Sequence, residues 1–365
     1  MHYVLIDDSV PFDGYSASRR PLGGAEKALG NLAAALVTRG HTVTVLNKTP
    51  YPVTADGVRY KSLDDLPERP MEADVVIAFR QPHLLGAVRK AKYRLLWVVA
   101  PPEYLTAEAN KTLWESFSPT VMFVSEQQKS QYTGSLPNRV IAPGVGSAFY
   151  EAPVMLTSSP EYQAQFDPTI ELPKTPPHAV VTTHPLHGLV WLIEIWRRLI
   201  HPQMNEARLA IYSTVLARGV RGESVPDNIQ PILERVKMAT DANIVVVDPR
   251  GDRGMTEIYR ASRIHFYPGH PQDYACWTLT ESQAAGTPAI ARNLGSVEER
   301  IVNGQTGYLV PDAAAVANVA LQILRDDATY ETLSKAAGDE TRRRTWEMVA
   351  AEVDAIIAET APAKG

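Results

Sequence analysis

Residues 264–311 read IHFYPGHPQDYACWTLTESQAAGTPAIARNLGSVEERIVNGQTGYLVP. Ile264–Tyr267 is a short apolar run, β-branched and aromatic, closed by Pro268 and Gly269, which predicts a buried strand ending at a turn. From Thr278 onward Leu279, Ser282 and Ala285 recur at helical spacing, and Gly286 with Pro288 stops the pattern. Glu281 therefore falls one turn into a short helix, and Asp273 falls in the loop that enters it. Between the two acids lie the backbone amides of Ala275, Cys276, Trp277 and Thr278. At a helix N-terminus such amides lack intrahelical partners and sit at the positive end of the dipole, which suits a phosphate or sugar oxygen. A carboxylate on either side accepts hydrogen bonds from hydroxyls, as a ribose or a hexose supplies.

Working outward, strand and helix patterns alternate on both sides of a break. The first half opens with a strand over residues 3–6, a loop to Gly23 and Gly24, an apolar helical stripe of Leu29, Leu32, Ala33 and Leu36, and a second strand over 42–46. Further strands are predicted at 74–79, 94–99, 120–124 and 139–142, with helical stretches at 84–90 and 126–132, the latter capped by Ser125. Between residues 151 and 177 the pattern lapses into a run punctuated by Pro153, Pro160, Pro168, Pro173, Pro176 and Pro177, which reads as an interdomain connection. It then restarts with strands at 178–183, 209–212 and 244–247 and helices at 189–199 and 229–238. Helices at 313–324, 329–337 and 340–359 follow. The expected fold class is α/β, with two Rossmann-like domains facing each other across a cleft. Their expected limits are 1–155 and 178–340, joined by 156–177 and followed by a helix over 341–365.

Composition narrows the function. A net charge of −5 and a pI near 6.0 argue against nucleic acid as a partner. Cys276 is the one cysteine, which excludes an intrachain disulfide and a cysteine-rich metal site. No HExxH and no carboxylates at ligand spacing point to a metal either, so neither metal nor cofactor is expected. The amino terminus reads directly as a strand, and no run of about 18 apolar residues occurs. A cytoplasmic protein is expected, with contact at a membrane surface left open. Gly23 and Gly24 do not begin a dinucleotide fingerprint, because no GxGxxG follows the first strand.

The 264–311 stretch resembles the carboxy-terminal signature of retaining glycosyltransferases of family 4, which have the GT-B fold. In that family two acids with seven residues between them precede A-x-G-x-P, then Gly, Glu and Gly-x-x-G. Here those places hold Asp273, Glu281, Ala285 to Pro288, Gly295, Glu298, and Gly304 with Gly307. Gly23, Gly24, Ala25 and Glu26 look like the same family's glycine-glycine-x-glutamate turn, which faces the donor diphosphate and the acceptor. The resemblance implies transfer of a hexose from a nucleotide-diphosphate sugar, the donor substrate, to a glycan or glycolipid acceptor, with retention at the anomeric carbon. The first half is then the acceptor side and the second the donor side. Asp273 is assigned to the reacting sugar. Glu281 goes to the ribose, and the amides of Ala275 to Thr278, with Gly23, Gly24 and His187, go to the remainder of the donor.

Two departures stand out. Where the family supplies an Arg and a Lys after the first strand of its second domain, this chain has Thr182 and His187. No His follows the 94–99 strand, which runs into Ala100, Pro101 and Pro102, and Arg80 and His83 are the polar residues nearby. Thr183, Arg218 and Arg250 are further candidates for phosphate contact. The departures leave a second reading, a GT-B scaffold or binding protein with little or no turnover, and a third, a sugar-nucleotide epimerase.

Overall fold

The computed structural model of the chain describes residues 1–64, 71–151 and 177–360. Of the proline-rich 156–177 connection only Pro177 lies among them. Val4, Leu5 and Ile6 of strand β1 (His2–Ile6) are fully buried, as are Val75 to Phe79 of β5 (Glu72–Phe79). Near-continuous apolar runs of this kind mark strands covered on both faces. β1 pairs in parallel with β5 and with β2 (Thr42–Asn47). β2 pairs with β4 (Val58–Ser62), which carries the antiparallel edge strand β3 (Val53–Ala55). Beyond β5 follow β6 (Lys90–Val98), β7 (Thr120–Phe123) and β8 (Asn138–Val140), giving the order β3-β4-β2-β1-β5-β6-β7-β8.

The second sheet has six strands, all parallel. β9 (His178–Val181), β10 (Arg208–Tyr212), β11 (Ile244–Val247), β12 (Ile264–Tyr267), β13 (Ala289–Ala291) and β14 (Gly307–Leu309) lie in the order β11-β10-β9-β12-β13-β14. In each sheet the order reverses at the first strand, so a crevice opens past the carboxyl ends of β1 and β5 in one and of β9 and β12 in the other.

The helix Trp346–Thr360 closes the core of the first sheet. Val349, Ala350, Val353, Ile356 and Ile357 are buried there beside the helix Gly24–Thr38, and Trp346 meets Trp97 edge-on at 6.2 Å. Asp354 accepts hydrogen bonds from Tyr3 Oη at 2.6 Å and from Arg39 Nε at 2.7 Å.

Two elements differ from their sequence expectation. The helix expected over 84–90 is a short 3₁₀ turn, Pro82–Gly86, and β6 already begins at Lys90. Arg94 donates to the carbonyls of Leu85 and Val88, holding that loop against the sheet without a helix. The helix expected from 340 starts at Trp346. Ahead of it Asp339 caps a single 3₁₀ turn, and the chain then runs extended so that Thr345 pairs with Val145 of the first half.

Candidate functional site

A cavity of about 640 Å³ lies past the carboxyl ends of β9 to β12 and is closed from the other side by the Gly23–Gly24 turn. Four helices aim their N-termini at it. Gly23 leads into the helix Gly24–Thr38, Ser213 into Thr214–Val220, Gly251 into Asp252–Arg260, and Cys276 into Trp277–Ala284. Gly23, Gly251 and Cys276 offer no side-chain cap, so the first amides of those helices face the cavity without local acceptors. The positive ends of several dipoles therefore meet on one space, which favours an anion.

Glu281 lies one turn into Trp277–Ala284, buried, with its carboxylate on the cavity wall. Its partner was not foreseen. Lys27, from the first turn of Gly24–Thr38, is buried against it and donates to Glu281 Oε1, and to Asp252 Oδ1 at 3.1 Å. Burial pushes Glu281 up to about 7, with Lys27 opposing and Asp252 reinforcing the rise. Burial opposes the charge on Lys27, yet the two carboxylates outweigh it and raise its affinity for the proton. One ammonium facing two acids leaves a net negative charge, which hydroxyl donors of a ligand can meet.

Asp273 also lines the cavity, but its oxygens are partly committed. Oδ2 accepts from Tyr267 Oη at 2.5 Å and Oδ1 from the Cys276 amide at 3.0 Å. This bond fixes the loop, in which Cys276 takes a left-handed conformation (φ 52°). The Cys276 amide serves Asp273, and its side chain is buried behind the wall. Ala275 packs into the core of the first sheet beside Tyr274 and is absent from the cavity lining. Trp277 and Thr278 remain on the cavity with Gly23, Gly24, Thr183, His187 and Arg250.

Arg218 is absent from that lining. It is half-exposed and paired with Glu223 at 2.8 Å, its helix carrying it away from the strand ends. His187 stacks on His270 at 4.6 Å, and burial lowers its affinity for a proton, with Asp273 opposing. It therefore enters the site as a neutral imidazole. Thr183 Oγ1 is buried with no hydrogen-bond partner among the described residues. Behind the wall His265, held neutral by burial with its pKa lowered to about 3, joins Thr182 Oγ1 at 2.9 Å to Ser282 Oγ at 2.7 Å. That bridge ties the Glu281 helix to the loop after β9.

Arg80 and His83 lie on the opposite crevice. Arg80 adopts a left-handed conformation (φ 67°) and donates to Glu26, with Asp7 Oδ1 at 3.4 Å from its Nε, while exposed His83 meets Asp8 at 3.1 Å. Sequence signals for Lys27 and Asp252 were absent, because each is an ordinary charged residue near the start of a helix and their proximity is purely tertiary. Gly24 permits the approach of the two halves, since a Cβ there would stand 2.6 Å from Trp277 Cδ1. Gly24→Ala is accordingly expected to lower stability by about 1–3 kcal/mol through overpacking, read from urea unfolding.

Two predominantly parallel α/β sheets meeting across a cleft at their switch points are the GT-B architecture. Sucrose-phosphate synthase from Thermosynechococcus elongatus superposes with a TM-score of 0.71, covering 98% of both chains at 16% identity. Anabaena HepE in complex with UDP and glucose superposes at 0.69, covering 98% of this chain and 99% of that one at 13% identity. The family model described as "Glycosyl transferases group 1" matches residues 179–326, the second sheet with its helices. The chain is 28% identical over 131 residues to D-inositol 3-phosphate glycosyltransferase of Corynebacterium efficiens, covering 35% of this chain and 31% of that one. It is 31% identical over 104 residues to phosphatidyl-myo-inositol mannosyltransferase of Mycobacterium leprae, covering 28% of each. The chain thus spans about a third of the length of the curated relatives it matches. Among the described residues no helix is long and apolar enough to cross a membrane.

Proposed function

We propose that the protein is a glycosyltransferase that moves a hexose from a nucleotide-diphosphate sugar to a glycan or glycolipid acceptor, with retention at the anomeric carbon. The observation that carries this reading is the joint placement of the Glu281 carboxylate, the Trp277 and Thr278 helix start, and Asp273 on one cavity at the β9/β12 switch point. Glu281 accepts from the ribose hydroxyls, the Trp277 and Thr278 amides receive sugar and phosphate oxygens, and Asp273, steadied by Tyr267, faces the hexose. The family match and the likeness to structures that hold UDP support a nucleotide-sugar donor.

Transfer breaks the bond between the anomeric carbon and the diphosphate oxygen and forms one to the acceptor hydroxyl, whose proton passes to the departing phosphate. Negative charge grows on the leaving group, and fixed cations placed there lower the barrier. With Thr182 and neutral His187 in the loop after β9, the fixed cations on the cavity wall are Lys27 and Arg250. Lys27 comes from the opposite half and is already seated against Glu281 and Asp252, so both halves contribute to this wall. The acceptor enters past β1 and β5, the crevice that holds Arg80, Glu26 and Asp7.

Incubation with UDP-, GDP- and ADP-sugars, with and without cell glycolipid, is expected to release one nucleoside diphosphate only when acceptor is present. NMR of the product should show the donor's anomeric configuration. Tight binding without release would instead mark a scaffold, and no binding of any donor would remove the reading.

A further inference from the structure

A second cavity, of about 470 Å³, lies at the joint between the halves, lined by Ala142 and Pro143 of the first and by Arg300 and Arg342 to Arg344 from the second half and the strand leading to Trp346. Four guanidinium groups share this wall with two carboxylates, both of which accept from backbone amides, and Glu299 also stands 4.0 Å from Arg300. Glu299 accepts the amides of Glu126 at 3.1 Å and Gln127 at 2.8 Å, and Asp339 accepts the amide and hydroxyl of Thr341, each at 2.9 Å. Arg344 is held by Glu352 and the carbonyl of Ala142, so it serves as a fixed brace.

The other three guanidiniums keep donors in hand. Arg300 gives one nitrogen to the carbonyl of Val124, and its Nε is buried with no partner among the described residues. Arg342 gives one nitrogen to Gln305 and is otherwise exposed. Arg343 lies over the Tyr150 ring at 4.2 Å, with Glu340, itself exposed, 3.7 Å away. Partly buried Arg300 and Arg343 and exposed Arg342 keep donors beyond their long pairs with Glu299 (4.0 Å) and Glu340 (3.7 Å), and guanidinium forks match the oxygens of a compact dianion.

We propose that this joint cavity is a binding site for a phosphate monoester, distinct from the donor cleft. Its walls come from both halves, where Thr345 pairs with Val145 and Arg344 O accepts the Val145 amide at 2.9 Å. A phosphate seated there braces the two halves at the point where the chain crosses between them, and its binding stabilises the folded protein by mass action.

Calorimetry with inorganic phosphate on the full chain tests this, together with thermal unfolding and co-sedimentation with phosphatidic-acid vesicles. Saturable binding is expected, weakened about tenfold or more in Arg342→Gln/Arg343→Gln, where two charge-assisted contacts go, and less in Arg342→Gln alone. The rise in Tm with phosphate should shrink in the same order, while Arg250→Gln, in the donor cleft, keeps full phosphate affinity here. Arg342 is exposed, so the single variant folds even if the double does not. Absence of phosphate binding, unchanged affinity in Arg342→Gln, loss in Arg250→Gln instead, or binding to vesicles without binding of free phosphate would each overturn the site.

Discussion

Glu281→Gln is expected to weaken binding of the donor's nucleoside diphosphate by about ten- to a hundredfold in calorimetry, the scale of hydrogen bonds made to a charged group. The substitution keeps shape but replaces a two-oxygen acceptor with an amide that presents donors to the ribose hydroxyls. A pH series sharpens the test. Because burial holds Glu281 up to about 7, wild-type affinity should climb as the pH rises through that value and the carboxylate forms. The Gln variant should lack this rise, which separates it from ionisation of the ligand itself. For folding the sign is opposite. A carboxyl whose affinity for the proton is raised in the native state favours folding below its unfolded value, and that contribution disappears as the pH passes through about 7. Equal affinity in wild type and variant would take Glu281 off the binding face.

Lys27→Met removes a buried ammonium from between two acids, and two separate losses are expected. Stability should fall by about 3–5 kcal/mol in urea unfolding, because Glu281 and Asp252 are left without their counter-charge. Turnover should fall by about 10²–10³ if Lys27 neutralises the leaving diphosphate, the range for losing one preorganised electrostatic contact. The double variant Lys27→Met/Glu281→Gln distinguishes them. Removing one acid restores part of the stability, whereas the rate stays low and single-turnover measurements show it. Wild-type turnover by Lys27→Met would return the leaving-group role to Arg250 and the helix amides.

The sequence carried the sheet frame well where apolar runs were long. β11 and β12 occupy the residues their patterns predict, and Ser125 caps its helix by accepting from the Gln128 amide. Placement of Glu281 one turn into its helix also followed from Leu279, Ser282 and Ala285. What escaped was set by distance along the chain. Lys27 meets Glu281 across 254 residues and Asp252 across 225, and nothing local marks Lys27 as buried. β13 and β14, three residues each, are too short to show a period, and pairing with neighbours makes them strands. The bond from the Cys276 amide to the Asp273 carboxylate, a local turn bond that competes with any ligand, was likewise not legible in the spacing of the two residues.

The helix Trp346–Thr360 belongs by packing to the sheet that opens the chain. During synthesis, then, the leading domain emerges with one flank uncovered, and Val353 and Ile357 reach it only after the whole intervening domain has been made. Folding of the amino-terminal half is thus completed last, by a segment delivered from beyond its neighbour, and a truncation before residue 346 would leave that apolar flank open to self-association.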